Sequence, residues 1–167
     1  MSKPILLLCA VTTISGCWST ASAPPSDAER AAIADTIDSL AEELFDAART
    51  LDPEGIFAHL SPDSQIYIAV DGQLITNRAE FETVVRTDYG GLRSQSFEFT
   101  RNETVVLGRD VAITWTLGPL STMDTLGVAT APRSLAATLV WHREEDGFKL
   151  VAVHESLPDP LAAAVTP

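Results

Sequence analysis

The chain has 167 residues, 46% hydrophobic and 20% charged, with 23 Asp and Glu against 11 Lys and Arg and a formal net charge of −12. That length supports one ordinary domain, and the charge argues against a nucleic-acid partner, which would call for a basic footprint. An anionic membrane surface would repel the same charge, so membrane attachment has to come from a hydrophobic anchor.

Met1 to Lys3 is a short positive start, and Ile5 to Ile14 is an apolar run of 10 residues broken only by two threonines. A membrane-spanning helix needs about 20, so residues 1–16 are expected to be a cleaved export signal. The run ends at Ile14-Ser15-Gly16-Cys17, which resembles the lipobox of bacterial lipoproteins. The resemblance implies cleavage before Cys17, a diacylglycerol on its thiol and acylation of the new amino group. Residues 17–26 then form an acylated Cys and flexible tether, whose last nine residues reach about 30 Å when extended. In known lipoproteins an Asp after the Cys favours the inner membrane. Trp18 stands there instead, so the resemblance implies an outer-membrane protein facing the periplasm. The alternative is cleavage after Ala21-Ser22-Ala23, which would give a soluble periplasmic or secreted protein but would leave Pro24 directly behind the cut. On the lipoprotein reading Cys9 leaves with the signal and Cys17 carries lipid, so no thiol remains for a disulfide, a redox pair or a metal.

Ser26-Asp27-Ala28-Glu29 forms a capping box, followed by Ile33, Ile37, Leu40, Leu44, Ala48 and Leu51 at helical spacing. Asp52-Pro53 starts a second, short helix with Ile56, Phe57 and Leu60 on its apolar face. Ser64 to Asp71 alternates as a strand, and a third helix runs from about Asn77 to Gly90-Gly91 with Phe81, Val84, Val85 and Tyr89 on one face. Beyond Ser94 the period becomes two. Strands are expected over 97–107, 111–117, 122–128, 134–143 and 148–155, separated by Gly108-Arg109-Asp110, Gly118-Pro119, Ala131-Pro132 and Asp146-Gly147. Helices followed by a run of strands indicate one α+β domain over 27–158. Residues 159–167, rich in Ala and Pro, are expected to be a disordered tail.

The order of "DPEGIFAHLSPDSQIYIAVDG", "ITNRAEF", "LGRDVAITW" and "LVWHREEDGFKLVAVHESLP" resembles the SnoaL-like and ketosteroid-isomerase-like branch of the nuclear transport factor 2-like superfamily. The resemblance implies a cone: a strongly curved antiparallel sheet wrapped around N-terminal helices, with a pocket at the open end and dimerisation through the sheet's outer face. His154 matches the family's recurrent last-strand histidine. Strict alternation puts it on the face of Phe148, Leu150 and Ala152, opposite Lys149 and Glu155, so it is expected to point inward. There it is either a general base or ligand anchor, or a buried structural hydrogen-bond partner.

The preceding strand has two registers. A two-residue Asp146-Gly147 loop would put Trp141 on the His154 face, and a three-residue loop with a bulge at Gly147 would put His142 there. Trp115 is a candidate for pocket lining, core or dimer contact, and Tyr67 for a donor to a ligand oxygen. His59 and the acidic run Asp35, Asp38, Glu42, Glu43 and Asp46 read as structural or solvated. The first helix lacks the tyrosine that steroid isomerases of the superfamily place there. No nucleophile elbow, metal pair, phosphate loop or calcium loop occurs, so no cofactor or metal is expected. Two functions remain. One is a lipid-anchored envelope module that binds a small, mostly apolar molecule or acts as a homodimeric interaction unit. The other is a proton-transfer or hydrolytic enzyme with His154 as base and Tyr67 or His142 as its partner.

Overall fold

The computed structural model describes residues 23–157 apart from Ser64 and Asp71. The expected signal, Cys17, most of the tether and the tail lie outside the described residues. Among the described residues no helix is long and apolar enough to cross a membrane.

Helix α1 (Asp27–Arg49) starts on the expected capping box: the Glu29 amide donates to Ser26 Oγ at 3.3 Å and the Ser26 amide to Glu29 Oε2 at 2.8 Å. The Ser26 hydrogen bonds, reinforced by Arg109, hold the Glu29 carboxyl down to about 2. Its inner stripe is Ile33, Ile37, Ala41, Leu44 and Phe45. Helix α2 (Pro53–His59) is followed by strand β1 (Gln65–Val70) and by a hairpin partner, β2 (Gln73–Asn77), which the alternation rule had not separated. Asn77 then caps α3 (Arg78–Gly90), its Oδ1 accepting the Glu80 amide at 3.2 Å. Arg78, the first residue of α3, closes the end of α2 by donating to the carbonyls of Phe57, Leu60 and Ser61 at 3.1, 3.3 and 2.6 Å, with Nε on Glu82 at 2.8 Å.

The expected strand over 97–107 is two strands, β3 (Leu92–Phe97) and β4 (Arg101–Val106), while those over 111–117 and 122–128 are one, β5 (Val111–Asp124). β5 pairs β4 with its first half and β3 with its second. Gly118-Pro119 marks this change of partner and not a turn. A Cβ on Gly118 would fall 2.0 Å from the Glu98 carbonyl oxygen, so only glycine lets the β3–β4 corner close onto β5. Strands β6 (Arg133–Glu144) and β7 (Gly147–Ser156) complete a sheet ordered β2-β1-β7-β6-β5-β3, with β4 also on β5. All neighbours are antiparallel except β1 and β7, which are parallel. The result is the expected α+β cone, its helices packed in the concave face of a curved sheet around Ile37, Ile66, Leu139 and Trp141.

Two details of the last hairpin overturn the expected faces. Neither anticipated loop forms: Glu144 pairs Gly147 around Glu145-Asp146, with Gly147 at φ 125. Further on, Val140 pairs Ala152 but Trp141 pairs Leu150, so Val151 is an extra residue in a bulge. A bulge reverses the parity of every later residue on its strand. Phe148 and Leu150 face the core as expected; after the bulge Val153 and Glu155 face inward, and His154 faces out.

Candidate functional site

The cone encloses a cavity of about 610 Å³ between α3 and the sheet. Its apolar wall comes from α1 (Leu44, Phe45), α3 (Phe81, Val84, Val85), β1 and β2 (Ile68, Ile75), β6 (Leu135, Leu139) and β7 (Leu150, Val153). α3 can present Phe81, Val84, Val85 and Tyr89 together because three- and four-residue steps fall on one helix face. Tyr89, Gln95, Asp88 and Glu155 bring polar groups to the same cavity. Gln95 is fixed by donating Nε2 to the Ala48 carbonyl at 3.1 Å. The Tyr89 phenol is pushed up to about 12, first by its burial; a hydrogen bond with Gln95 opposes this, while the charges of Glu155, Asp88 and Asp52 add to it. Tyr89 therefore stays protonated at neutral pH and can donate its O–H, and Glu155 supplies a carboxylate within electrostatic reach of that phenol.

None of the five residues singled out as catalytic or ligand-binding candidates lines this cavity. His154 is exposed on the outer face, paired with Thr138 of β6 and Ala69 of β1; the expected inward orientation is corrected by the bulge at Val151. His142 is also exposed and outward, opposite Lys149, so it and not Trp141 shares the face of His154. Tyr67, 49% exposed, pairs Ala152 and lies diagonally from His154. Trp115, 41% exposed, stands outward between Glu103 and Thr138. Trp141 faces inward but is fully buried outside the cavity lining, its indole donating to Thr114 Oγ1 at 3.2 Å.

The structure thus gathers Tyr67, His154 and Trp115 on the convex face. Across the strands the register there runs Glu103, Trp115, Thr138, His154, Ala69 in one row and Val105, Ile113, Val140, Ala152, Tyr67 in the next. Val153 is buried in the cavity wall. His59 is half-buried with Nε2 at 4.0 Å from Glu43, and desolvation lowers its pKa below the ordinary 6.5. Asp38, read as solvated, accepts from Thr104 Oγ1 at 2.6 Å and ties α1 to β4. Sequence reasoning placed Tyr89 on the apolar face of the third helix without a role, and assigned Glu155 to the wrong face. A Leu-Val-Ala-Val run carries no polar marker for where a bulge falls. Among the described residues no group of three or more His, Cys, Asp or Glu is placed to hold a metal ion.

The family described as "SnoaL-like domain" matches residues 37–160. Among curated proteins none matches the chain. Among solved structures it resembles a nuclear transport factor 2-like superfamily protein from Salmonella enterica serovar Typhimurium at TM-score 0.70 and 11% identity, covering 82% of this chain and 99% of that one. It resembles a protein with a cystatin-like fold from Caulobacter vibrioides at TM-score 0.65 and 18% identity, covering 80% and 94%. A ketosteroid isomerase-like protein from Erwinia carotovora atroseptica matches at TM-score 0.65 and 15% identity, covering 76% and 97%. At such identities the likeness shows a shared fold alone.

Proposed function

The chain belongs to the SnoaL-like domain family of the nuclear transport factor 2-like superfamily, and we propose that its cone binds a small, mostly apolar molecule. The observation that carries this is the cavity of about 610 Å³, apolar over most of its wall, with polar groups confined to Tyr89, Gln95, Asp88, Glu155 and Thr87. This is the usual build of a small-molecule site: apolar walls supply affinity and a few polar groups set orientation. The test is native mass spectrometry of the full chain from its own cells. A bound organic molecule released on denaturation, in about equal ratio with the chain, is expected, and its absence across mild preparations would count against the reading.

A second reading rests on the pairing of a carboxylate and a protonated phenol in one cavity. Glu155 would take a proton from a bound carbon acid while Tyr89 donates to the developing oxyanion. The base of such an enzyme is Glu155 and not His154, which lies on the other side of the sheet. Exchange of solvent deuterium into a bound ketone, abolished by Glu155→Gln, would support it.

Around this site we place two further elements. Cys17 is the lipidated residue that holds the domain at the cell envelope, facing the periplasm; Cys17→Ala should leave unprocessed precursor or release soluble protein. The convex face carries Trp115, Leu117, Val105 and Tyr67, each more than two-fifths exposed, and serves as a homodimer interface, because monomers rarely leave such patches open. Light scattering should give a dimer, and Trp115→Glu a monomer with its cavity intact.

A further inference from the structure

Among the described residues two buried side-chain polar atoms have no hydrogen-bond partner, Thr116 Oγ1 and Arg133 Nε. The hydroxyl is neutral, and Thr116 does not line the cavity. Arg133 Nε belongs to a cation, and a buried charged donor left unmet is costly enough to need an explanation. On the helices around the cavity the guanidinium groups are engaged: Arg49 on Glu42 and Asp46, Arg78 on the α2 carbonyls and Glu82, and Arg86 on Glu54.

Arg133 opens β6 and pairs Leu120 of β5. Further along β6, Leu135, Ala137, Leu139 and Trp141 are buried on the concave face, and strand alternation puts Arg133 on that same side. Its Nη2 donates to the Leu157 carbonyl at 2.6 Å. Leu120, Leu135 and Leu157 all line the cavity. The guanidinium therefore stands among three lining residues at the end of the wall, fixed through one nitrogen, with the Nε proton left to donate. The complement that this position lacks is an acceptor oxygen. An amine would bring a second donor to it, and a hydrocarbon would leave the buried N–H as it is. A carbonyl-type oxygen would receive a charge-assisted hydrogen bond, roughly twice as strong as a neutral one.

We infer that the cavity takes an apolar molecule carrying a carbonyl-type acceptor oxygen, that of a ketone, ester or carboxylate, and that Arg133 Nε donates to it. This rests on the cavity being a binding site, as proposed above, and adds the class of molecule and the residue that holds its polar end. The chain's overall charge of −12 works against a carboxylate at long range and leaves a neutral carbonyl untouched, so the two are separated by experiment.

The experiment is an NMR titration of the full chain, at about pH 7 and about 0.15 M salt, with three probes of nearly one shape: acetophenone, cumene and benzoate. Arg133→Met should weaken acetophenone about tenfold, as loss of one charge-assisted hydrogen bond would, and leave cumene, which has no acceptor, within about twofold. Arg101→Met, at an exposed position outside the lining, removes the same unit of charge and should change nothing. On the unaltered chain the Arg133 Nε–H signal should move downfield with acetophenone and stay in place with cumene. Benzoate binding tighter than acetophenone, and losing that binding in Arg133→Met, would support a carboxylate end; acetophenone binding tighter would support a neutral carbonyl. If cumene binds but Arg133→Met weakens acetophenone no more than cumene, the inference is overturned while the apolar-cavity reading stands. The same holds if only Tyr89→Phe weakens acetophenone, because the oxygen would then be held by the phenol. If none of the three binds, both fall. Should Arg133→Met fail to fold, the Nε–H signal of the unaltered chain decides, and a signal that acetophenone leaves unmoved overturns the inference.

Discussion

Thr114 joins the sheet to the first helix, and replacing it with valine should show how much that connection is worth. The residue is fully buried on the inner face of β5. Its hydroxyl accepts from Trp141 Nε1 at 3.2 Å and meets Thr104 Oγ1 at 3.0 Å, while Thr104 donates to Asp38 Oδ1 at 2.6 Å. A hydroxyl has one proton, and that of Thr104 is committed to Asp38, so Thr114 donates to Thr104. The chain of bonds therefore runs one way, from the indole of β6 through β5 and β4 to the carboxylate on α1. Thr114→Val keeps the shape and removes both of its bonds. Thr104 retains Asp38, but the Trp141 N–H is stranded on a residue with 0% exposure. A stranded buried donor costs about 1–3 kcal/mol and the extra methyl returns about 0.8 at most, which leaves a net loss of about 1–2 kcal/mol. Urea denaturation should show a lower midpoint with an unchanged slope. In a Trp141→Phe background, which has no indole N–H to strand, the same substitution should cost much less. An unchanged midpoint, or equal costs in both backgrounds, would refute the reasoning.

Gly118→Ala should destabilise by at least about 3 kcal/mol, beyond ordinary overpacking, because the added Cβ meets the Glu98 backbone and not a side chain that could yield; thermal unfolding measures it, and a near-normal melting temperature would mean that the β3–β4 corner is not seated as described. Arg78→Met should cost about 2–3 kcal/mol by taking the guanidinium away from three carbonyls, of which that of Phe57 keeps the Leu60 amide. Arg78→Lys should recover less than half of that, since an ammonium cannot span the same acceptors; full rescue by lysine would show that charge alone matters. His59 has its folded pKa below the ordinary 6.5, chiefly through desolvation, so the unfolded chain takes up the proton first as pH falls. Its contribution is complete above about 6.5 and is lost below that value. His59→Gln should accordingly shrink the drop in stability between about pH 7.5 and 5.5, and an unaltered drop would discount the histidine.

What could be read from the sequence followed from periodicity and caps. The Ser26-to-Glu29 box, the α1 stripe as far as Ala48, Pro53 at the start of α2 and Asn77 at the start of α3 are local signals, and each appears where expected, whereas Leu51, the last residue of the expected stripe, lies beyond the helix end at φ 56. The interior of the sheet was harder because its decisive features are not local. Gly118-Pro119 has the composition of a turn, yet the glycine is required by the Glu98 backbone of another strand. Val151 is an ordinary strand residue in every respect but its register, and that single insertion exchanges the faces of His154 and Glu155. The inferred catalytic histidine thereby became an outer-face residue, while Glu155, assigned to the solvent side, entered the cavity. On β5 the small face of Ala112, Thr114 and Thr116 turned inward and the Trp115 face outward. That choice follows from the closeness of the helices, which composition does not reveal.

The central claim is that small molecules bind inside the cone and not on its convex face. The most direct test is methyl-resolved NMR of the full chain titrated with naphthylmethanol. Shifts concentrated on Val85, Leu139, Val153 and Leu150, with Val105, Leu117 and Val140 unmoved, are the predicted result. Shifts confined to the convex-face methyls, or none at any concentration the probe allows, would contradict it.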